Sequence, residues 1–243
     1  MAKQKVYFCL DIETADGEET DAAVLAVGGS VVIKPGVVLE TFCTSIIPNS
    51  VADHSFQQYA PNVPGNPWGA TDSARECMSL KTWDQFWSKF PGVLTKLAAN
   101  ALPKRVAWAA IEKWIQGVYD KYDTETTKVV LVADCGDFDL GLINDSFKTF
   151  LDRSLSVRYS TSSGKRHSVM DFGDHTPADV WAKLKEMADA VTLHDHMPDH
   201  DSSNTALLAC YLDMLYDHPT LGGRIDNVGS PQWNAVFGTC TGV

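Results

Sequence analysis

The feature that most limits how this chain can fold is a short strand that ends in two acids. Lys5–Leu10 reads KVYFCL, a β-branched and aromatic run suited to a buried strand. It continues into Asp11-Ile12-Glu13. Alternate side chains of a strand share a face, so Asp11 and Glu13 point together while Ile12 points the other way, into a core. Neighbouring carboxylates repel each other, and folding alone has no use for such a pair. A divalent cation held between them turns the repulsion into coordination. An ordinary solvated strand end entering the turn Ala15-Asp16-Gly17 would carry the same three residues, so the choice between the two rests on the remainder of the chain.

Two more strands come next. Ala22–Ile33 is apolar and β-branched, interrupted by Gly28-Gly29, which marks a bulge or a close backbone approach. Lys34-Pro35-Gly36 is a turn, and Val37–Ile47 is a third strand. Tight turns between the three predict an antiparallel meander with the Asp11 strand at its heart. Pro48–Asp72, rich in Pro, Asn and Gly and carrying Trp68, reads as a long irregular surface segment. A helix is expected to begin near Ser79, with Trp83, Phe86 and Trp87 on one face, better suited to core packing than to base stacking.

Pro103 opens a helix whose core stripe is read as Val106, Ala110, Trp114 and Val118, with Ile111 and Ile115 beside it. Lys128–Ala133 is a buried strand, followed by Asp134, Asp137, Phe138 and Asp139 and then a helix carrying Leu140, Ile143 and Phe147. This strand–helix order predicts an α/β half joined to the meander. Ser156–Tyr159 is a possible further strand, and Ser160–Arg166 a polar loop. Thr176-Pro177 starts a helix running to about Ala190. A loop crowded with His and Asp precedes the last expected helix, Asp201 to Tyr216. Residues from about 222 to 243 read as a Gly- and Asn-rich tail, and 1–243 as one domain.

Composition excludes some functions. The chain has 243 residues and a net charge of −11, a poor match to a protein that coats phosphate backbones through Lys and Arg. An enzyme that engages one strand end through bound cations escapes that objection, because the cations supply the positive charge. No run approaches the roughly 18 apolar residues of a membrane helix, and the N-terminal stretch lacks the form of a signal peptide. The six cysteines are scattered without CxxC spacing, as expected of reduced thiols in a cytoplasmic protein.

The late loop completes a pattern. His196-Met197-Pro198-Asp199-His200-Asp201 places a histidine five residues before an aspartate that opens a helix. Asp-x-Glu ending the first strand, Phe-Asp after a middle strand and His-x-x-x-x-Asp at a late helix, in that order, resemble the histidine subgroup of the DEDD 3′–5′ exonucleases over nearly the whole chain. The resemblance implies a ribonuclease H-like α/β fold: a mixed sheet with an antiparallel meander and helices on both faces. It implies a phosphodiester hydrolase that holds two Mg²⁺ or Mn²⁺ ions and releases nucleoside 5′-monophosphates from single-stranded 3′ ends. Asp11, Glu13, Asp139 and Asp201 would be the metal ligands and His196 the general base. Thr14 and Ala15 would bring backbone groups to the terminal 3′-hydroxyl, with Phe138 and Trp68 stacking on terminal bases.

Several alternatives stay open on the sequence. Asp134 or Asp137 competes with Asp139 as the third acid, and His194 and His200 compete with His196. A zinc site built from these His and Asp residues is a rival account, without four well-placed ligands in evidence. Asp171 has a possible match to a family aspartate. DNA is taken as slightly preferred over RNA, on no particular residue. An exoribonuclease and a catalytically idle member that binds nucleic-acid ends or protein are the alternatives. The expected partners are single-stranded DNA or RNA 3′ ends, with a homodimer of the chain left open and no membrane.

Overall fold

The computed structural model describes residues 3–15, 23–47, 80–154, 167–216 and 227–238. Trp68 and the Pro48–Asp72 segment, the Ser156–Tyr159 strand and the Ser160–Arg166 loop lie outside the described residues. Among those described, five strands form one sheet in the order β3-β2-β1-β4-β5. β1 (Gln4–Thr14), β2 (Val24–Ile33) and β3 (Val37–Ser45) make the antiparallel meander. β4 (Thr127–Ala133) and the short β5 (His167–Ser168) add in parallel on the other side of β1. The Asp11 strand is therefore central, paired antiparallel on one side and parallel on the other.

The period of two along β1 sorts its side chains between two cores. Val6, Phe8, Leu10 and Ile12 pack with α3 (Lys104–Tyr122) and α4 (Gly136–Leu151). Tyr7 and Cys9 face the opposite way, into a second core with α6 (Ala178–Asp189) and α7 (Pro198–Tyr216). Asp11 and Glu13 continue the odd-numbered face, so they emerge on the α7 side where that core ends. A third cluster joins Ala15, Leu25 and Ala26 to Trp83 and Trp87 and to Leu94 and Leu97 of α2 (Pro91–Ala99). It borders the acidic end of β1. Trp83, in α1 (Leu80–Gln85), and Trp87 are core residues, as their spacing suggested. The four described cysteines, Cys9, Cys43, Cys135 and Cys210, are free thiols.

Three expectations need correction. The core stripe of α3 is rotated: Val106 is 54% exposed, and the buried row is Ala107, Trp108, Ile111, Ile115 and Val118. Trp108 meets Phe147 of α4 at 5.7 Å between ring centroids, while Trp114 of the expected row is partly buried at the flank against Phe8 and Phe42. α7 begins at Pro198, which puts Asp201 inside the first turn of helix rather than at its start. The expected tail also carries α8 (Pro231–Phe237). Ser230 caps it by accepting from the Trp233 N–H at 3.3 Å, and Trp233 is buried against the α7 side of the core. Ser230-Pro231 is a cap-then-proline signal hidden in a Gly-rich context; the same signal at Thr176-Pro177 is not realised, because α6 starts at Ala178 after Pro177 and the Thr176 hydroxyl lies 3.1 Å from that of Tyr216.

Candidate active site

Asp11 and Glu13 meet Asp201 at the C-terminal end of β1. The three offer carboxylate oxygens all within 4.8 Å of one another. Asp11 and Glu13 arrive there by strand parity. Asp201 arrives because the first turn of α7 lies against β2. Gly28, the register partner of Asp11, makes that approach possible: a Cβ on Gly28 would sit 2.0 Å from the Pro198 carbonyl carbon. Gly29 does the same on the other face, where a Cβ would meet the Trp114 ring at 2.4 Å. Of the two readings open for the glycine pair, close approach is the one realised.

The electrostatics are those of a site short of positive charge. Burial pushes the Asp11 carboxyl well above the usual carboxylate range, and Glu13, Asp139 and Asp201 push it further. Burial and then Asp201 and Asp139 do the same to Glu13. Oδ2 of Asp11 is enclosed without a hydrogen-bond partner. Buried carboxylate oxygens are normally satisfied, and an orphan among three acids fits a hard cation, which wants oxygen ligands.

Asp139 stands beside this trio in the first turn of α4, buried, with Oδ2 accepting the Cys135 N–H at 3.0 Å. Burial raises its carboxyl to about 7, against that hydrogen bond. Because β4 runs parallel to β1, the turn after β4 delivers Asp139 to the same end of the sheet as Asp11. Asp134 is half-buried with a carboxyl raised chiefly by burial, while Asp137 is exposed.

The histidine loop is more ordered than its composition suggested. Asp195 donates its N–H to Asp201 Oδ1 at 3.0 Å. Its own Oδ1 accepts the Met197 N–H at 3.2 Å and lies 2.9 Å from His200 Nδ1. His196 takes a left-handed backbone conformation, φ 62°, which histidine tolerates better than most residues. Its Nδ1 lies 3.8 Å from Asp201 Oδ2, and His194 Nε2 lies 3.1 Å from the same oxygen. Phe86 and Phe90 pack edge-on to the His196 ring, with centroids at 4.7 and 4.3 Å. Burial holds the His196 imidazole below its ordinary value, whereas the hydrogen bond to Asp201 raises His194. Of the site neighbours, Phe90 was not singled out by the sequence, Phe86 falls on the Trp83–Trp87 face, and His194 stands there as a competitor of His196. The only signal for the two phenylalanines was the aromatic density after Trp83.

The remaining candidates sit around this centre. The Thr14 carbonyl accepts the Trp87 indole N–H at 3.0 Å, and the Ala15 N–H donates to Ala23 O at 2.8 Å. Those two backbone groups are engaged within the protein. Phe138 is half-buried against the α3–α4 core. Asp171 falls in α5 (Val169–Asp174).

The nuclease domain of 3′hExo, a DEDDh family member, bound to rAMP, superposes with a TM-score of 0.53 at 14% identity, over 93% of this chain and 99% of that one. The chain has the ribonuclease H-like fold of the DEDDh exonucleases. Cell-death related nuclease 4 (CRN-4) shares that DEDDh-type fold with a TM-score of 0.52 at 13% identity, over 87% of this chain and 65% of that one. A full-length 3′-exonuclease matches at 0.51 and 14%, over 95% and 93%. The sequence matches no protein-family model and no curated protein. Among the described residues, no helix is long and apolar enough to cross a membrane.

Proposed function

We propose that the chain is a metal-dependent 3′–5′ exonuclease that hydrolyses phosphodiester bonds from single-stranded 3′ ends. The observation that carries this reading is the convergence of Asp11, Glu13 and Asp201, with an orphaned Asp11 oxygen, beside His196 at one end of the sheet. The DEDDh exonuclease fold supports the same reading.

The donor set fits Mg²⁺ or Mn²⁺. Asp11, Glu13 and Asp201 would hold one ion, and Asp11 with Asp139 a second. Bound there, the ions would supply charge stabilisation to the phosphoryl group and lower the pKa of water. The chain's own residues do the rest. His196, kept neutral near pH 7 by its burial, accepts the proton of the attacking water. Phe86 and Phe90 hold its ring in place. By the resemblance, Thr14, Ala15 and Phe138 would contact the terminal nucleotide, although the Thr14 carbonyl and the Ala15 N–H are already bonded to Trp87 and Ala23. DNA is the first substrate to try, with RNA the alternative. A second copy of the chain is a possible source of further grip on the strand.

The test is a time course on 5′-labelled single-stranded DNA and RNA with Mg²⁺, Mn²⁺ or EDTA. A ladder that shortens from the 3′ end and stops with EDTA is the expected result. Folded protein that cleaves neither strand with either metal would overturn the enzyme and leave a binding module on this fold.

A further inference from the structure

Asp201 belongs to two candidate ligand groups, one with Asp11 and Glu13 and one with His194 and His196. In the second group, His194 Nε2 lies 3.1 Å and His196 Nδ1 3.8 Å from Asp201 Oδ2. We propose that His194, His196 and Asp201 form a second, overlapping site that takes Zn²⁺, and that zinc bound there withdraws His196 and Asp201 from the reaction. The binding half stands on geometry alone. The inhibition rests on the exonuclease reading.

Two imidazoles and one carboxylate are the ligand set of an open zinc site, with three protein ligands and a fourth position for water. Mg²⁺ prefers oxygen throughout, so the two metals sort by chemistry between the two ligand groups that share Asp201. Zinc bonds of about 2.0–2.2 Å in tetrahedral geometry place neighbouring ligand atoms about 3.3 Å apart. The observed 3.1 and 3.8 Å bracket that value, so small side-chain movements would close the site. An ordinary His–Asp ion pair accounts for His194, but not for a second imidazole nitrogen turned to the same oxygen.

The supporting contacts are already in place. Asp201 Oδ1 is held by the Asp195 N–H, which leaves Oδ2 to act as the ligand atom. Asp195 in turn fixes the loop through Met197 and His200. Phe86 and Phe90 restrict the His196 ring. His194 is 48% exposed on its side chain, which gives the ion an entry from solvent. Zinc on His196 Nδ1 would occupy the lone pair that otherwise accepts a proton.

Calorimetric titration of the full chain with Zn²⁺, in a large excess of Mg²⁺, tests the site directly. Co²⁺ in place of zinc adds a visible absorption band as an independent readout. One zinc per chain is expected, with binding weakened at least about tenfold in His194→Ala and in His196→Ala. In exonuclease assays, with each rate taken relative to that protein's own zinc-free rate, zinc should inhibit the wild type but not His194→Ala. Zinc binding equally tight in His194→Ala, or no zinc binding against Mg²⁺, would overturn the site. If the chain cleaves no substrate, the calorimetry and the cobalt band still decide whether zinc binds, so the two readings fail separately.

Discussion

Gly28 of β2 lies directly against Pro198, the first residue of α7: a Cβ there would fall 2.0 Å from the Pro198 carbonyl carbon and 2.4 Å from the Asp199 nitrogen. The contact is backbone against backbone, so no side chain can swing aside to relieve it. Gly28→Ala should push the start of α7 off the sheet and carry Asp201 away from Asp11. The expected cost is about 1–3 kcal/mol of stability, read as a lower Tm, together with a loss of the Tm increase that Mg²⁺ gives the wild type. Gly117→Ala is the control: it lies in α3 with nothing near its Cβ and should stabilise by about 0.5–1 kcal/mol. An unchanged Tm and metal response in Gly28→Ala would refute the role of the close approach.

Asp11→Asn should separate activity from folding. The wild-type carboxylate is buried beside Glu13, Asp139 and Asp201, and its charge opposes the apo fold. Removing the charge should raise Tm without metal, by about 2–4 °C for each kcal/mol relieved. It should also abolish the Tm increase with Mg²⁺ and lower turnover by more than about 100-fold. A variant that is less stable than wild type in EDTA would show that Asp11 is satisfied by something other than a cation.

The metal-free chain should lose stability as pH rises. Asp11, Glu13 and Asp139 all have folded-state pKa values above their ordinary ones, Asp139 from 3.8 to about 7. The folded state therefore binds more protons than the unfolded state across that window. Their contribution is fully present below the ordinary carboxylate value and is lost as pH passes through the folded values. Tm in EDTA should fall between about pH 5 and about pH 8, and Mg²⁺ should reverse the fall most strongly at the alkaline end, where no proton must leave. A flat or rising Tm over that range in EDTA would contradict the raised pKa values of the acids.

The parts of the site legible in the sequence were those set by local period. Asp11 and Glu13 share a face because a strand alternates; the turn after β4 was expected to supply an acid, but the resemblance rather than local pattern chose Asp139 over Asp134 and Asp137. Gly28-Gly29 announced a close approach without saying to what, since its partners, Pro198 and Trp114, lie far along the chain. Phe86 read as part of the Trp83–Trp87 face and Phe90 was not read at all; their contact with His196 depends on how the segment around α1 and α2 docks, which no local pattern encodes. The same holds for the α3 stripe, where two apolar rows competed and only the assembled core chose between them. α8 was missed for a different reason: its cap was readable, but it stood among Gly and Asn residues that suggested no helix.

Under the proposed mechanism Phe90 would position His196 without taking part in the reaction, and that distinction can be measured. Its ring lies 4.3 Å from the imidazole, centroid to centroid, and Phe86 closes the neighbouring side at 4.7 Å. His196→Ala removes the proposed proton acceptor and should lower kcat by about 10²–10⁴-fold, with little change in KM or in the Mg²⁺-induced Tm increase. Phe90→Ala leaves the imidazole present but frees its ring and admits water around it. Its kcat should fall by a smaller factor, and the acidic limb of the kcat–pH profile should move upward, because burial is what holds the His196 pKa down. Phe90→Leu, which keeps most of the apolar cover, should restore much of both. If Phe90→Ala lowers stability but leaves the acidic limb where it is, Phe90 serves only the third core cluster and His196 is oriented by its loop alone.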